Sequence, residues 1–295
     1  MTRHFGPFVL LTLFVAACAG AGPTPSPAPS PTPSPSPSPS PSRAPSGFYL
    51  RAWYSQALPP RHTFNWLPML TVAGGVLLDG NVAIDMIFPG PLTIVPIARP
   101  ISDAGIAAIV DEARRQGLLG DATDFTGGQA MPGARLGQLE LMVEGRRYLL
   151  TGNPDALVRC GGQRCIADPG TPEAFAAFWQ ALGMAGTWLD AELGPTQDYA
   201  PDRVALLLTG PTGQGMPAIP AQWPFDTPLT ETGVAFPGEE GDRCVTLSGD
   251  ALAAIWPDLR DGNQLTVFVD EHGNQAAPLV RVLVPGDESP CPDGV

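Results

Sequence analysis

Gly137-Gln138-Leu139-Glu140-Leu141-Met142-Val143-Glu144 is the stretch on which the fold turns. It reads as the first strand of a hairpin, with its turn at Glu144-Gly145 and its return through Tyr148-Leu149-Leu150. A second stretch echoes it: Asn263-Gln264-Leu265-Thr266-Val267-Phe268-Val269-Asp270. Each follows a helical pattern and each opens a hairpin. A repeated helix-then-hairpin unit gives antiparallel sheets with helices on one face. The expected class is therefore α+β: antiparallel hairpins packed with a few helices, in a pattern that allows two related halves.

The flanking segments fit that class. Leu70-Thr71-Val72 and Val76-Leu77-Leu78 surround Gly74-Gly75, a pair suited to a primed turn. Residues 84–97 are apolar but broken by Pro89, Pro91 and Pro96, which reads as an edge strand or an ordered loop. A helix is expected over 101–118, capped by Ser102, stapled by Ile101 on Ile106, and stopped at Gly117-Leu118. Thr171-Pro172-Glu173 opens another, with Phe175, Phe178, Trp179 and Leu182 on its apolar face. Val204 to Thr209 is a strand, and the Gly/Pro-rich 210–220 is a candidate boundary. Beyond it come a strand over 244–247 and a helix from Ser248, ended or kinked at Pro257. A last hairpin turns at Glu271-His272-Gly273-Asn274. The expected organisation is 1–17, 18–46, 47–210 and 211–295: a signal, a linker and two α+β halves.

Composition narrows the function classes. Apolar residues make up 44% and charged residues 15%, which reads as a folded domain rather than a disordered chain. The formal charge is −13, so nucleic acid and anionic lipid headgroups are poor partners. The chain holds no lysine; its sixteen basic side chains are all arginine. Lysine Schiff bases and phosphate-loop lysines are therefore excluded.

Val15-Ala16-Ala17-Cys18 ends an apolar run that begins at Phe8, after Arg3 and His4. A positive start, a short apolar core and a small-residue site make a secretory signal. With cysteine after the small pair, the stretch resembles the lipobox of bacterial lipoproteins. That resemblance implies cleavage before Cys18, lipidation of its thiol, and attachment to the extracytoplasmic face of the cell membrane. An uncleaved anchor would need about 20 apolar residues. An ordinary secretory signal is the other alternative. Residues 23–46 alternate proline with Ser, Thr or Ala, which predicts a disordered, polyproline-II-like stalk. At about 3.1 Å per residue it reaches up to roughly 70 Å.

Without Cys18, four cysteines remain: Cys160, Cys165, Cys244 and Cys291. In an exported chain an even number points to disulfides, with three possible connectivities. Proximity favours Cys160 with Cys165, leaving Cys244 for Cys291. A zinc site is the alternative, although only one close pair is present. Arg243-Cys244-Val245-Thr246-Leu247-Ser248-Gly249-Asp250, together with residues 282–291, resembles the C-terminal part of uncharacterised secreted proteins and lipoproteins of GC-rich bacteria. The resemblance covers about the last quarter of the chain, with a fainter likeness at 70–81. It implies an exported domain with a terminal disulfide and brings no activity.

Catalytic patterns are sparse. His62 and His272 are the histidines beyond the signal, both in expected loops. No G-x-S-x-G elbow and no H-E-x-x-H is present. Carboxylates such as Asp79, Asp85, Asp121, Asp124, Glu239, Glu240 and Asp242 could serve acid/base chemistry, yet no spacing singles out a pair. Asp79-Gly80-Asn81 and 121–124 could offer oxygen ligands to calcium, without the twelve-residue loop pattern. No cofactor or metal is called for. The aromatic cluster Trp53, Tyr54 and Trp66 can stack a glycan or peptide, or can pack inward. The leading expectation is a non-catalytic envelope module that binds a protein or glycan. A carboxylate-dependent hydrolase of wall or glycan substrates, and a structural or assembly-accessory lipoprotein, are the alternatives.

Overall fold

The computed structural model describes residues 47–292 apart from 56–57, 82–87, 129–134, 162–163, 211–216 and 238–239; the side chains of 159–166 lie outside the description as well. The lipobox, Cys18 and the linker 18–46 thus fall outside the described residues, as do Asp85 and Glu239. In chain order the first elements are β1 (Tyr49–Ser55), α1 (Pro60–Thr63), β2 (Leu70–Ala73), β3 (Val76–Asp79), β4 (Ile97–Pro100), α2 (Asp103–Arg115), β5 (Asp124–Phe125), β6 (Leu136–Val143) and β7 (Arg146–Gly152). Next come β8 (Arg159–Gly161), β9 (Arg164–Ile166), α3 (Pro172–Gly183), α4 (Ala185–Trp188) and β10 (Gln197–Asp198). The remainder are β11 (Arg203–Thr209), β12 (Ile219–Gln222), β13 (Val234–Ala235), β14 (Arg243–Ser248), α5 (Gly249–Asp261), β15 (Thr266–Val269) and β16 (Gln275–Leu283).

The class is α+β. Eight strands form one sheet in the order β10-β4-β3-β2-β1-β6-β7-β5, and six form another in the order β12-β15-β16-β11-β14-β13. Pairing is antiparallel except for β5 with β7 and β12 with β15. Both sheets lie within a single compact unit, Pro41–Val295.

Local chemistry explains the elements. The turn between β6 and β7 sets Glu144 at φ 52° and Gly145 at φ 79°, and that between β2 and β3 sets Gly74 at 57° and Gly75 at 78°. Two successive positive φ angles match the twist of the flanking strands. Ser102 caps α2 by accepting from the Gly105 N–H at 3.0 Å, and Thr171 caps α3 by accepting from that of Ala174 at 3.2 Å. Both helices bury their apolar faces on the first sheet. Ile106, Ile109, Phe175, Phe178 and Leu182 pack against Leu50, Val72, Leu139 and Leu150 in one core. Gly137 faces Gly152 across β6 and β7, and α3 presses into this trough. A Cβ on Gly137 would come within 2.8 Å of Trp179, and one on Gly152 would collide with the ring of Phe175.

The second sheet is covered on both faces. Leu252, Ile255 and Leu259 of α5 pack on Val204, Leu206, Phe268 and Val282. On the other face Ala205, Leu207 and Leu283 meet Phe64 and Phe236. Phe64 belongs to the N-terminal half, so the halves interlock. Leu78 and Ala98 of the first sheet likewise pack with Val284.

Four details are added to the sequence reading. The change of sheet comes between β10 and β11, before residue 210. The Gly/Pro-rich 210–220, read as a boundary, contains a strand at its end, β12. Pro257 does not end α5, which runs on to Asp261; losing one N–H leaves the helix held by its buried face. The echoed stretches occupy different places: β6 lies between β1 and β7, whereas β15 lies between β16 and β12. One hairpin therefore enters its sheet by its first strand, the other by its second.

Candidate functional site

The period of a strand sends alternate side chains to opposite faces. On β1 this puts Tyr49, Arg51 and Trp53 on the face away from α2 and α3, and Leu50 and Ala52 in the helix-side core. After β1 the chain makes the short helix α1, anchored by buried Phe64. The Trp66 N–H donates to the Thr63 carbonyl at 3.1 Å, which closes a turn and sets Trp66 beside β1. Gly80 completes this wall: its backbone approaches Pro68 so closely that a Cβ would collide with the Pro68 carbonyl.

These segments enclose a cavity of about 590 Å³. Trp53, Tyr54, Asn65, Trp66, Arg135 and Arg281 are among its lining residues. The three aromatic residues singled out in the sequence all line this cavity, Trp53 from the face of β1 away from the helices and Tyr54 from the helix-side face, and each is half-buried. Tyr54 is held rigidly. Its hydroxyl accepts from the indole N–H of Trp179 at 3.1 Å, and the rings meet edge-on with centroids 4.9 Å apart.

Two guanidinium groups cover the aromatic faces. Arg51 Cζ lies 4.3 Å from the Trp53 ring centroid and Arg135 Cζ lies 3.7 Å from that of Tyr54. Such contacts contribute about 0.5–1 kcal/mol when exposed and more when desolvated. Arg281 adds a third cation, its Nη2 3.4 Å from Asp287 Oδ2. Asp287 is also paired with Arg51 at 3.1 Å and has no exposed side-chain surface. Nearby, burial pushes the Tyr49 hydroxyl above its usual pKa, which outweighs the opposing pull of Arg51. Tyr49 stays protonated and donates to the Pro285 carbonyl at 3.3 Å. Among the described residues no carboxylate lines the cavity.

The other expected site residues lie elsewhere. Cys244 and Cys291 form a disulfide that ties β14 to the C-terminal segment. The register of the β8–β9 ribbon sets Cys160 opposite Cys165, with their side chains outside the description. Asp79 and Asp124 each accept a backbone N–H two residues on and close their own turns. Asp121 pairs with Arg146, and Asp242 with Arg61. His272 sits in the last hairpin turn with its ring exposed. Among the described residues no cluster of three or more His, Cys, Asp or Glu could hold a metal, and no helix is long and apolar enough to cross a membrane.

A second cavity of about 570 Å³ lies between α2, α3 and α4, and includes Asp111, Glu112, Glu192 and Trp188. Its acids are engaged: Glu112 with Arg115, Asp111 with Arg114, and Glu192 with the Ser102 hydroxyl.

Sequence reasoning passed over Arg135 and Arg281. Arg135 follows a glycine-rich loop with no recognisable pattern. Arg281 is one of many alternating residues on β16. Comparison with protein-family models, with curated proteins and with solved structures finds no match for this chain.

Proposed function

We propose that the chain is a lipid-anchored module of the bacterial cell envelope, and that it binds a glycan non-catalytically in the aromatic cavity. Lipidated Cys18 and the stalk 18–46 hold the domain away from the membrane surface. The observation that carries the binding reading is the convergence of Trp53, Tyr54 and Trp66 on one cavity of about 590 Å³ with polar Asn65 beside them. That volume falls within the range of small-ligand sites, which combine aromatic walls with a few placed polar groups. Half-buried rings can be held by the protein and still meet a ligand. The carboxylate-hydrolase alternative requires paired acids, and none of the observations favours it in this cavity.

A glycan is favoured over an extended peptide by topology. A peptide that adds to a sheet needs a free edge strand. The edges of the two large sheets are β10, β5, β12 and β13, those of the ribbon are β8 and β9, and no residue of these strands lines the cavity.

Two measurements test the proposal. Intact mass of the protein extracted from membranes should lack residues 1–17 and carry acyl chains; a soluble, unmodified product would contradict the anchor. Titration with soluble fragments of envelope polysaccharide should give saturable binding, weakened about ten-fold or more in Trp66→Ala, as for a buried aromatic anchor. Binding unchanged by Trp66→Ala and Trp53→Ala would contradict the site.

A further inference from the structure

We infer that the ligand of this cavity is an acidic glycan: a sugar ring bearing a carboxylate, with the anion held by Arg135 and the ring laid against the tryptophans. This rests on the binding reading above and adds the charge class of the ligand.

Arg135 is the first observation. Among arginines with described side chains, the others make an ion pair with Asp or Glu, or donate to backbone carbonyls as Arg203 and Arg243 do. Arg135 does neither, and its contact is the face of Tyr54 at 3.7 Å. An aromatic face engages the guanidinium plane and leaves its N–H edges without acceptors. Those edges match a carboxylate bidentately.

Charge balance is the second. Asp287 is one carboxylate shared by Arg51 and Arg281, so this trio carries a net positive charge. Arg51 Nε, Arg281 Nε and Asp287 Oδ1 are all buried without a hydrogen-bond partner, so the trio is held by charge attraction. The chain holds 29 acidic residues against 16 basic ones. A cavity with two arginines and no described carboxylate runs against that composition.

Ring and hydroxyl recognition are the third. Trp66 and the Trp53 ring, one face of which Arg51 covers, line the cavity, and Asn65 and Thr63 beside them carry groups that can meet sugar hydroxyls. A free inorganic anion would use the arginines alone, without the rings.

The test is isothermal titration of the full protein with a glucuronic-acid oligosaccharide and a neutral glucose oligosaccharide of equal length, with inorganic phosphate as competitor. The acidic sugar should bind about ten-fold or more tightly, the scale of a charge-assisted pair, and its affinity should fall with added salt. Arg135→Gln should abolish the preference, while Arg260→Gln, an equal charge change on α5, should keep it. Equal binding of both sugars would overturn the inference and leave the cavity reading standing. Binding of neither would overturn both. Displacement of the acidic sugar by millimolar phosphate would show a simple anion site and overturn the glycan assignment. Circular dichroism of Arg135→Gln checks that the exposed substitution leaves the fold intact.

Discussion

Arg51 on the first strand and Asp287 in the final turn form an ion pair with Nη1 and Oδ1 3.1 Å apart, and through it the beginning and end of the domain are joined. The contact has further support, although Asp287 Oδ1 and Arg51 Nε themselves make no hydrogen bond. Arg51 Nη1 also donates to the Gly286 carbonyl at 3.0 Å, Arg281 approaches the second carboxylate oxygen, and Arg203 donates to the Asp287 backbone carbonyl at 2.8 Å. Arg51 comes from the first sheet; Arg281 and Arg203 come from the second. A single buried carboxylate thus bridges the two sheets, and the aromatic cavity is lined by Trp53 of the first sheet and Arg281 of the second.

Removing that carboxylate should be costly. Breaking one side of a buried ion pair leaves an uncompensated charge and costs about 3–5 kcal/mol. Asp287→Ala should lower the urea midpoint accordingly. The double variant with Arg51→Gln should lose less than the sum of the single variants, since the two groups share one interaction. Strict additivity in denaturation would show that the pair contributes nothing of its own.

Asp270 makes a pH-dependent contribution. Burial pushes its pKa up, but hydrogen bonds outweigh it: from the Asn274 side chain and the N–H groups of Leu229, Asn274 and His272. The result is a pKa lowered from 3.8 to about 2. A depressed carboxylate pKa stabilises the fold above its unfolded value, and that contribution disappears as pH falls through the folded value. Asp270→Asn should therefore be less stable than the natural protein at neutral pH. The gap should narrow between about pH 4 and pH 2. Thermal unfolding of both proteins across that range measures it; a constant gap would contradict the assignment.

The glycine trough under α3 predicts a packing effect. A Cβ at residue 152 would enter the Phe175 ring, in a core where Phe175 is fully buried. Gly152→Ala should destabilise by about 1–3 kcal/mol, the usual cost of overpacking. Gly186→Ala, where a Cβ meets nothing within 4 Å, serves as the control in the same denaturation experiment.

The Cys244–Cys291 disulfide closes a loop with a sequence separation of 47. By loop entropy such a cross-link stabilises by about 4 kcal/mol. Reduction, or Cys291→Ser, should lower the unfolding midpoint, and a non-reducing peptide map should show the two cysteines linked. Free thiols at both positions would contradict the pairing.

Much of the fold was legible because its signals are local. Glu144-Gly145, Gly74-Gly75, Ser102 and Thr171 act through their own backbone neighbours, so their turns and caps could be read in place. The apolar face of α3 was equally plain, since Phe175, Phe178, Trp179 and Leu182 recur at helical spacing. β12 was hidden because Pro220 and exposed Ile219 break the usual strand pattern, and its pairing with β15 is parallel and long-range. Of the two readings of Pro257, an end is excluded, because α5 runs on to Asp261 and its buried face tolerates one missing N–H. At the site, Trp53, Tyr54 and Trp66 were visible as residue types. Their meeting with Arg135 and Arg281 depends on β1, the loop before β6, and β16 converging from distant parts of the chain, which no local pattern records.

The six tryptophans supply the most direct test, because they are spread over both cavities and the cores. Trp53 and Trp66 line the aromatic cavity, and Trp188 lines the other. The decisive measurement is the indole N–H spectrum of nitrogen-15-labelled protein during titration with the acidic oligosaccharide, with signals assigned by single substitutions. The account predicts that the Trp53 and Trp66 resonances move together and saturate while those of Trp188 and Trp256 stay in place. Shifts confined to Trp188, or no shift in any indole at saturating sugar, would contradict it.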